Sequence, residues 1–258
     1  MSHLVTSRDG TPIAYETVGS GPALLIVDGA LCFREVGPAR RLAEQLKSHF
    51  TVYLYDRRGR GESGDTPPYS PERELEDLEA LLAAAGGSAC VAALCTGAAL
   101  VLPAAGRLQG IRRLALYEVP FVLDYKDGPD PDWVARLNRY RTSLDGIART
   151  LTYDIEIVTR HKHGKPIEPG MWADVRMPVL VLRGDSSPRW LQNAQAAIAG
   201  ALLNAELGTV EGQGHQFKPE ALAPALLQFF TADAAADGAT CAAQPQPSLS
   251  RHATEGLD

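Results

Sequence analysis

Cys95 and His215 are the residues of this chain whose types and settings could carry nucleophilic chemistry. A thiol attacks as its thiolate; a free cysteine titrates at about 8.5, and a helix N-terminus or an adjacent imidazolium lowers that value. Cys95 stands in Ala92-Ala93-Leu94-Cys95-Thr96-Gly97-Ala98, after the apolar Ala89-Cys90-Val91 and before the helix-prone Ala98-Ala99-Leu100-Val101-Leu102. This predicts a strand, a sharp turn and a helix. Small residues two positions either side let such a turn tighten until one side chain stands above the sheet. The start of the helix then offers backbone N–H groups to developing negative charge. Cysteine is among the most buried residue types, and without this setting Cys95 would be read as core. His215 lies in Glu211-Gly212-Gln213-Gly214-His215-Gln216-Phe217, between the last expected strand and a helix beginning Pro219-Glu220-Ala221. The flanking glycines suit a loop that must deliver an imidazole without strain.

The elements that must position these residues are legible as buried strands alternating with helical stretches. Asp9-Gly10-Thr11 reads as a hairpin turn, and Gly19-Ser20-Gly21-Pro22 as a second break. Ala23-Leu24-Leu25-Ile26-Val27 and Thr51-Val52-Tyr53-Leu54-Tyr55 are apolar runs of the kind buried on both faces of a sheet. The first ends at Asp28-Gly29-Ala30; the second enters Asp56-Arg57-Arg58-Gly59-Arg60-Gly61-Glu62-Ser63. The alternation predicts an α/β fold with a doubly wound, mostly parallel sheet.

In order and separation, the hairpin start, the Asp28-Gly29 loop, the Asp56-x-Arg58-Gly59-x-Gly61-x-Ser63 turn, the elbow at Cys95 and Gly214-His215 resemble the α/β-hydrolase superfamily, in particular its small bacterial members with a helical cap. The likeness covers roughly Thr6 to Phe230. It implies a nucleophile at Cys95, a general base at His215, and an oxyanion hole from the backbone N–H of Thr96 and of Ala30 or Leu31. Two departures stand out: the nucleophile is Cys rather than Ser, and the acid is displaced. By family register the acid precedes the proline of Arg183-Gly184-Asp185-Ser186-Ser187-Pro188, a place held here by Ser187. Asp185, two residues early, and Glu118, at the end of the preceding strand, are equal candidates. A third departure is Asp28, where relatives often carry His; a carboxylate beside an oxyanion hole opposes negative charge unless it turns away or is protonated. It either shapes the loop or transfers protons. Cys32 is read as a neighbouring pocket wall, and the arginines of 56–63 as ties between loops.

The resemblance divides the chain into a core of residues 1–118 and 178–231, a short helical cap at 119–177, and a tail at 232–258. The cap segment is rich in aromatic and basic residues, and Phe121, Trp133 and Tyr140 are candidate substrate contacts in a mostly apolar pocket, one suited to an aromatic small molecule. The same helical spacing also suits ordinary packing of Trp133 and Tyr140 on the core. His161 and His163 lack the companion ligands a metal site needs, and neither metal nor cofactor is expected. The tail, with Gln244-Pro245-Gln246-Pro247, has no hydrophobic periodicity and is expected to be disordered.

At 258 residues, 45% hydrophobic and 22% charged, the composition fits one globular unit. A net charge of -6 argues against nucleic acid or an anionic membrane as partner. No secretory signal or membrane span is legible, so a cytoplasmic enzyme with a small-molecule substrate is expected. The four cysteines, without paired spacing, are read as free thiols. Three functions fit this site: hydrolysis or acyl transfer through an acyl-Cys95 on a small ester, thioester or lactone; non-hydrolytic addition, cyclisation or proton transfer on a secondary metabolite, using Cys95, His215 and Asp28; or ligand binding by an eroded triad.

Overall fold

Eight strands form one sheet in the order β1-β2-β4-β3-β5-β6-β7-β8. The computed structural model describes residues 1–124, 126, 148–161 and 164–232. β1 (His3–Thr6) and β2 (Pro12–Val18) make the expected hairpin, with Gly10 at positive φ in its turn. β2 runs antiparallel to β4 (Thr51–Tyr55); beyond it β3 (Ala23–Val27), β5 (Ala89–Leu94), β6 (Ile111–Tyr117), β7 (Val179–Gly184) and β8 (Ala205–Val210) are parallel. A strand between two parallel neighbours and covered on both faces needs apolar residues at every position, and every residue of β5 is buried.

Helices cover both faces, as a doubly wound sheet requires. Leu42, Ala43 and Leu46 of α1 (Ala39–Leu46) and Leu222, Leu226 and Phe230 of α6 (Pro219–Thr231) share one core with Leu24, Ile26, Leu54 and Cys90. On the opposite face, Leu78, Leu81 and Leu82 of α2 (Pro71–Ala84), the short α3 (Thr96–Val101) and Ile198 of α5 (Arg189–Ala201) pack on Leu25, Val27, Val91 and Leu116. Proline at the first position of α2 and α6 costs no hydrogen bond, because that N–H has no intrahelical partner.

Within the segment expected as a cap, the described residues form a 3-10 turn (Ala148–Thr150) leading into α4 (Leu151–His161), which packs on α3 and α2. Tyr125, Trp133, Tyr140, His163 and residues 233–258 of the tail lie outside the described residues. The cysteine reading needs correction. Cys32 and Cys95 are free, but Cys90, buried in β5, is disulfide-bonded; Cys241 lies outside the described residues. No helix among the described residues is long and apolar enough to cross a membrane.

Candidate active site

Among the described residues, three that are not glycine adopt positive φ: Leu31 at 59°, Cys95 at 50° and Glu118 at 50°. Such backbone is costly for side chains with a Cβ, and it persists where the surroundings over-determine it. Cys95 and Glu118 directly follow β5 and β6, and Leu31 lies in the loop after β3, all beyond the carboxyl ends of central parallel strands, where open α/β sheets place their ligands. Cys95 is the residue between β5 and α3, with φ 50° and ψ -120°. Its N–H donates to Tyr117 O at 2.9 Å, which hangs the elbow on the end of β6. The small neighbours are required by contact. A Cβ on Gly97 would lie 2.5 Å from Val27 O and 2.6 Å from Asp28 O, and one on Gly29 would lie 3.0 Å from Cys95 Cβ.

His215 Nδ1 lies 2.9 Å from Glu118 Oε2, which leaves Nε2 for the sulfur. Glu118 is fully buried. Its other oxygen, Oε1, accepts from Gly184 N–H at 2.9 Å and from the Ser187 hydroxyl. Three donors around one buried carboxylate keep its orientation fixed. The imidazole pKa is pushed up to about 10, first by the electrostatic effect of Cys95 beside it, then by hydrogen bonds to Cys95 and Glu118, against the opposing effect of burial. The Tyr117 hydroxyl donates to Gly214 O at 2.6 Å, and the Tyr117 ring packs on Phe217 with centroids 4.7 Å apart, so the histidine loop is clamped on both sides.

Asp185, the other carboxylate candidate, is exposed and turned to backbone. Hydrogen bonds from Gly212, Ser186 and Gln213 hold its pKa below the usual carboxylate range. It shapes the loop that presents His215, while Glu118 alone of the two meets the imidazole. Nothing in the sequence gives a role to Tyr117 or Gln195, and Ser187 is marked there only as the residue at the acid's usual position. Gln195 donates to Val119 O at 2.9 Å and accepts from Val119 N at 3.0 Å, fixing the residue after Glu118. For Ser187 the signal was its register: it occupies the acid's customary place and donates to the carboxylate that replaces it.

Asp28 is buried, with Oδ1 accepting from Gly29 N–H at 2.8 Å and Oδ2 without a hydrogen-bond partner. Burial pushes its pKa up to about 6, against the lowering effect of the Gly29 N–H and Arg60. Cys32 adjoins it: a Cβ on Gly37 would meet both Cys32 Sγ at 2.9 Å and Asp28 Oδ2 at 3.0 Å. Burial, then the charge of Asp28, drives the Cys32 thiol far above the usual range. The two thiols therefore differ in setting, since Cys95 is the one that interacts with His215. Phe121 is fully buried against Trp172, with ring centroids 6.3 Å apart, which makes it a core residue rather than a pocket wall. The arginines do tie loops together: Arg58 bonds Asp77 and Asp9, while Arg57 and Arg60 join a buried network with Glu74 and Asp154. No group of three or more potential metal ligands occurs among the described residues.

Residues 19–225 match the model of the alpha/beta hydrolase family. An alpha/beta hydrolase from Sphaerobacter thermophilus is 38% identical over 89% of this chain and all of its own, with a TM-score of 0.78. Two esterases share the fold at lower identity. One, from Exiguobacterium antarcticum, has a TM-score of 0.71 at 15% identity over 89% of this chain and 99% of its own. The other, from Thermogutta terrifontis, has a TM-score of 0.64 at 18% identity over 88% of this chain and 97% of its own.

Proposed function

Because this chain belongs to the alpha/beta hydrolase family, we propose that it is a hydrolase or acyl-transfer enzyme in which Cys95 forms a covalent acyl intermediate with a small ester, thioester or lactone. One observation carries the reading: Cys95, strained at the elbow, and buried Glu118 flank the same imidazole. The Cys95 thiolate adds to the substrate carbonyl, and the new oxyanion is taken by the N–H groups of Thr96 and of Ala30 or Leu31. Collapse of the tetrahedral adduct expels the alkoxide or thiolate, which takes its proton from the His215 imidazolium. What remains is a thioester on Cys95 and a neutral imidazole.

The direction of the His215 shift suits both halves of this cycle. Its largest cause is the Cys95 thiolate, and acylation removes that charge. The imidazole then returns towards its ordinary value and becomes a base able to take a proton from water or an acceptor alcohol. Attack of that nucleophile on the thioester releases the acid or new ester and restores the thiolate–imidazolium pair. Glu118 holds the tautomer throughout.

Incubation with p-nitrophenyl acetate, followed by intact-protein mass, tests the proposal. The wild type should gain one acetyl group on Cys95, and Cys95→Ala should lose both adduct and turnover. Cys95→Ser should be weaker by about 10²-fold or more, since a hydroxyl is far less acidic than a thiol. Buried, protonatable Asp28 with its unpartnered oxygen favours a second reading, proton transfer without acylation. A Cys95→Ser enzyme of near wild-type rate, with no adduct on the wild type, would select that one.

A further inference from the structure

Asp154, in the first turn of α4 and buried, holds both sides of the oxyanion site with one carboxylate. Its Oδ1 accepts from Thr96 Oγ1 at 2.8 Å and from Arg57 Nη1 at 2.8 Å. Its Oδ2 accepts from Arg60 Nη2 at 2.7 Å. Arg60 in turn donates through Nη1 to the carbonyls of Gly29 at 2.7 Å and Cys32 at 3.1 Å, and through Nε to Thr150 Oγ1 at 3.1 Å.

The Gly29 carbonyl shares its peptide plane with the N–H of Ala30. In a trans peptide these two groups point in opposite directions. Pinning the oxygen on the guanidinium therefore aims the Ala30 N–H away from it, and a charged donor on the carbonyl also polarises that N–H. The other donor, the Thr96 N–H, belongs to the residue whose hydroxyl is tied to the same carboxylate. Charge is balanced within the network, with Arg57 and Arg60 facing Glu74 and Asp154, all four nearly inaccessible. Burying four charges is not an economical source of stability, because apolar side chains of similar volume often serve as well.

We propose that Asp154 and Arg60 are positioning residues that set the Ala30 and Thr96 N–H groups against Cys95, so that the seating of α4 governs whether the oxyanion site is assembled. This rests on the acyl-enzyme reading above. Asp154→Asn keeps the shape and removes the charge; Thr150→Val is milder and removes the acceptor of Arg60 Nε. Acylation by p-nitrophenyl acetate needs the oxyanion site, whereas alkylation by iodoacetamide displaces iodide and forms no oxyanion. Each is read on Cys95 by stopped flow and peptide mass mapping.

Asp154→Asn should slow acylation by about 10- to 100-fold, towards the loss seen when an oxyanion donor is removed, with alkylation within about twofold of wild type. Thr150→Val should slow acylation by about threefold with alkylation unchanged, and it carries the test if Asp154→Asn does not fold. Equal loss of both reactions, or loss of neither, would overturn the proposal. Hydrogen exchange separates its failure from that of the acyl-enzyme reading. If the wild type never acylates, that reading falls, and exchange in Asp154→Asn decides the positioning role. Faster exchange confined to amides 29–34 and 95–97, with β5 and β6 unchanged, supports it; a uniform increase or no change overturns it.

Discussion

Strain at Cys95 and Glu118 has one geometric origin: each is the residue at which a central strand stops and its side chain must turn towards His215. The carboxylate end of this trio has a measurable task. Glu118→Gln preserves volume but replaces an acceptor by an amide, which can offer Nδ1 the wrong partner and hold the imidazole in the wrong tautomer. In a serine triad that exchange costs about 10⁴ in kcat. Here Cys95 supplies the leading cause of the raised imidazole pKa, so a smaller loss, about 10- to 100-fold, is expected. The pH dependence gives the sign. In the proposed mechanism the imidazolium is the acid in acylation, so the acylation rate is expected to fall as pH rises through about 10 in the wild type. Without the Glu118 charge and hydrogen bond, that limb should move to lower pH. A limb unmoved by Glu118→Gln, measured by the pH dependence of the acylation burst, would remove the carboxylate from the mechanism.

Elements made the site legible because each strand that carries a functional residue ends in a short apolar run closed by a small or charged residue. Val27 before Asp28, Leu94 before Cys95 and Tyr117 before Glu118 all follow that form. The strand ends were therefore readable, and so was the choice of two carboxylates. Which of them meets His215 was not, because the answer depends on a backbone turn at Glu118 and on Gly184 and Ser187 from another strand end. The Asp154 contacts were hidden for the same reason: 58 positions separate it from Thr96, and no local pattern encodes such a meeting. Close packing at the elbow is encoded locally and gives a prediction. Gly97→Ala would place a carbon 2.5 Å from Val27 O and 2.6 Å from Asp28 O, both backbone atoms that cannot swing aside. The variant should lose about 1–3 kcal/mol of stability in urea denaturation, together with activity. An unaltered midpoint would mean that the elbow is looser than its contacts imply.

Across the whole molecule, the sheet supplies the reactive residues while a buried ionic network fastens the loop after β4 to α2, α3 and α4. Arg57 binds Glu74 through both Nε and Nη2, at 2.7 and 2.8 Å, and both side chains are almost wholly inaccessible. A pair of this kind resists the loss of one partner far more than the loss of both, because the survivor is left charged and dry. Arg57→Met should therefore cost about 3–5 kcal/mol, leaving Glu74 with only the Tyr69 hydroxyl as a side-chain hydrogen-bond partner among the described residues. Adding Glu74→Leu removes the stranded charge and keeps the Arg60–Asp154 pair balanced. The double variant should recover about 1–2 kcal/mol of that loss, a non-additivity read directly from chemical denaturation of the four proteins in the cycle. If Arg57 and Glu74 instead contribute independently, the two losses will simply add, and the network is then a set of separate contacts rather than one joint between α4 and the sheet.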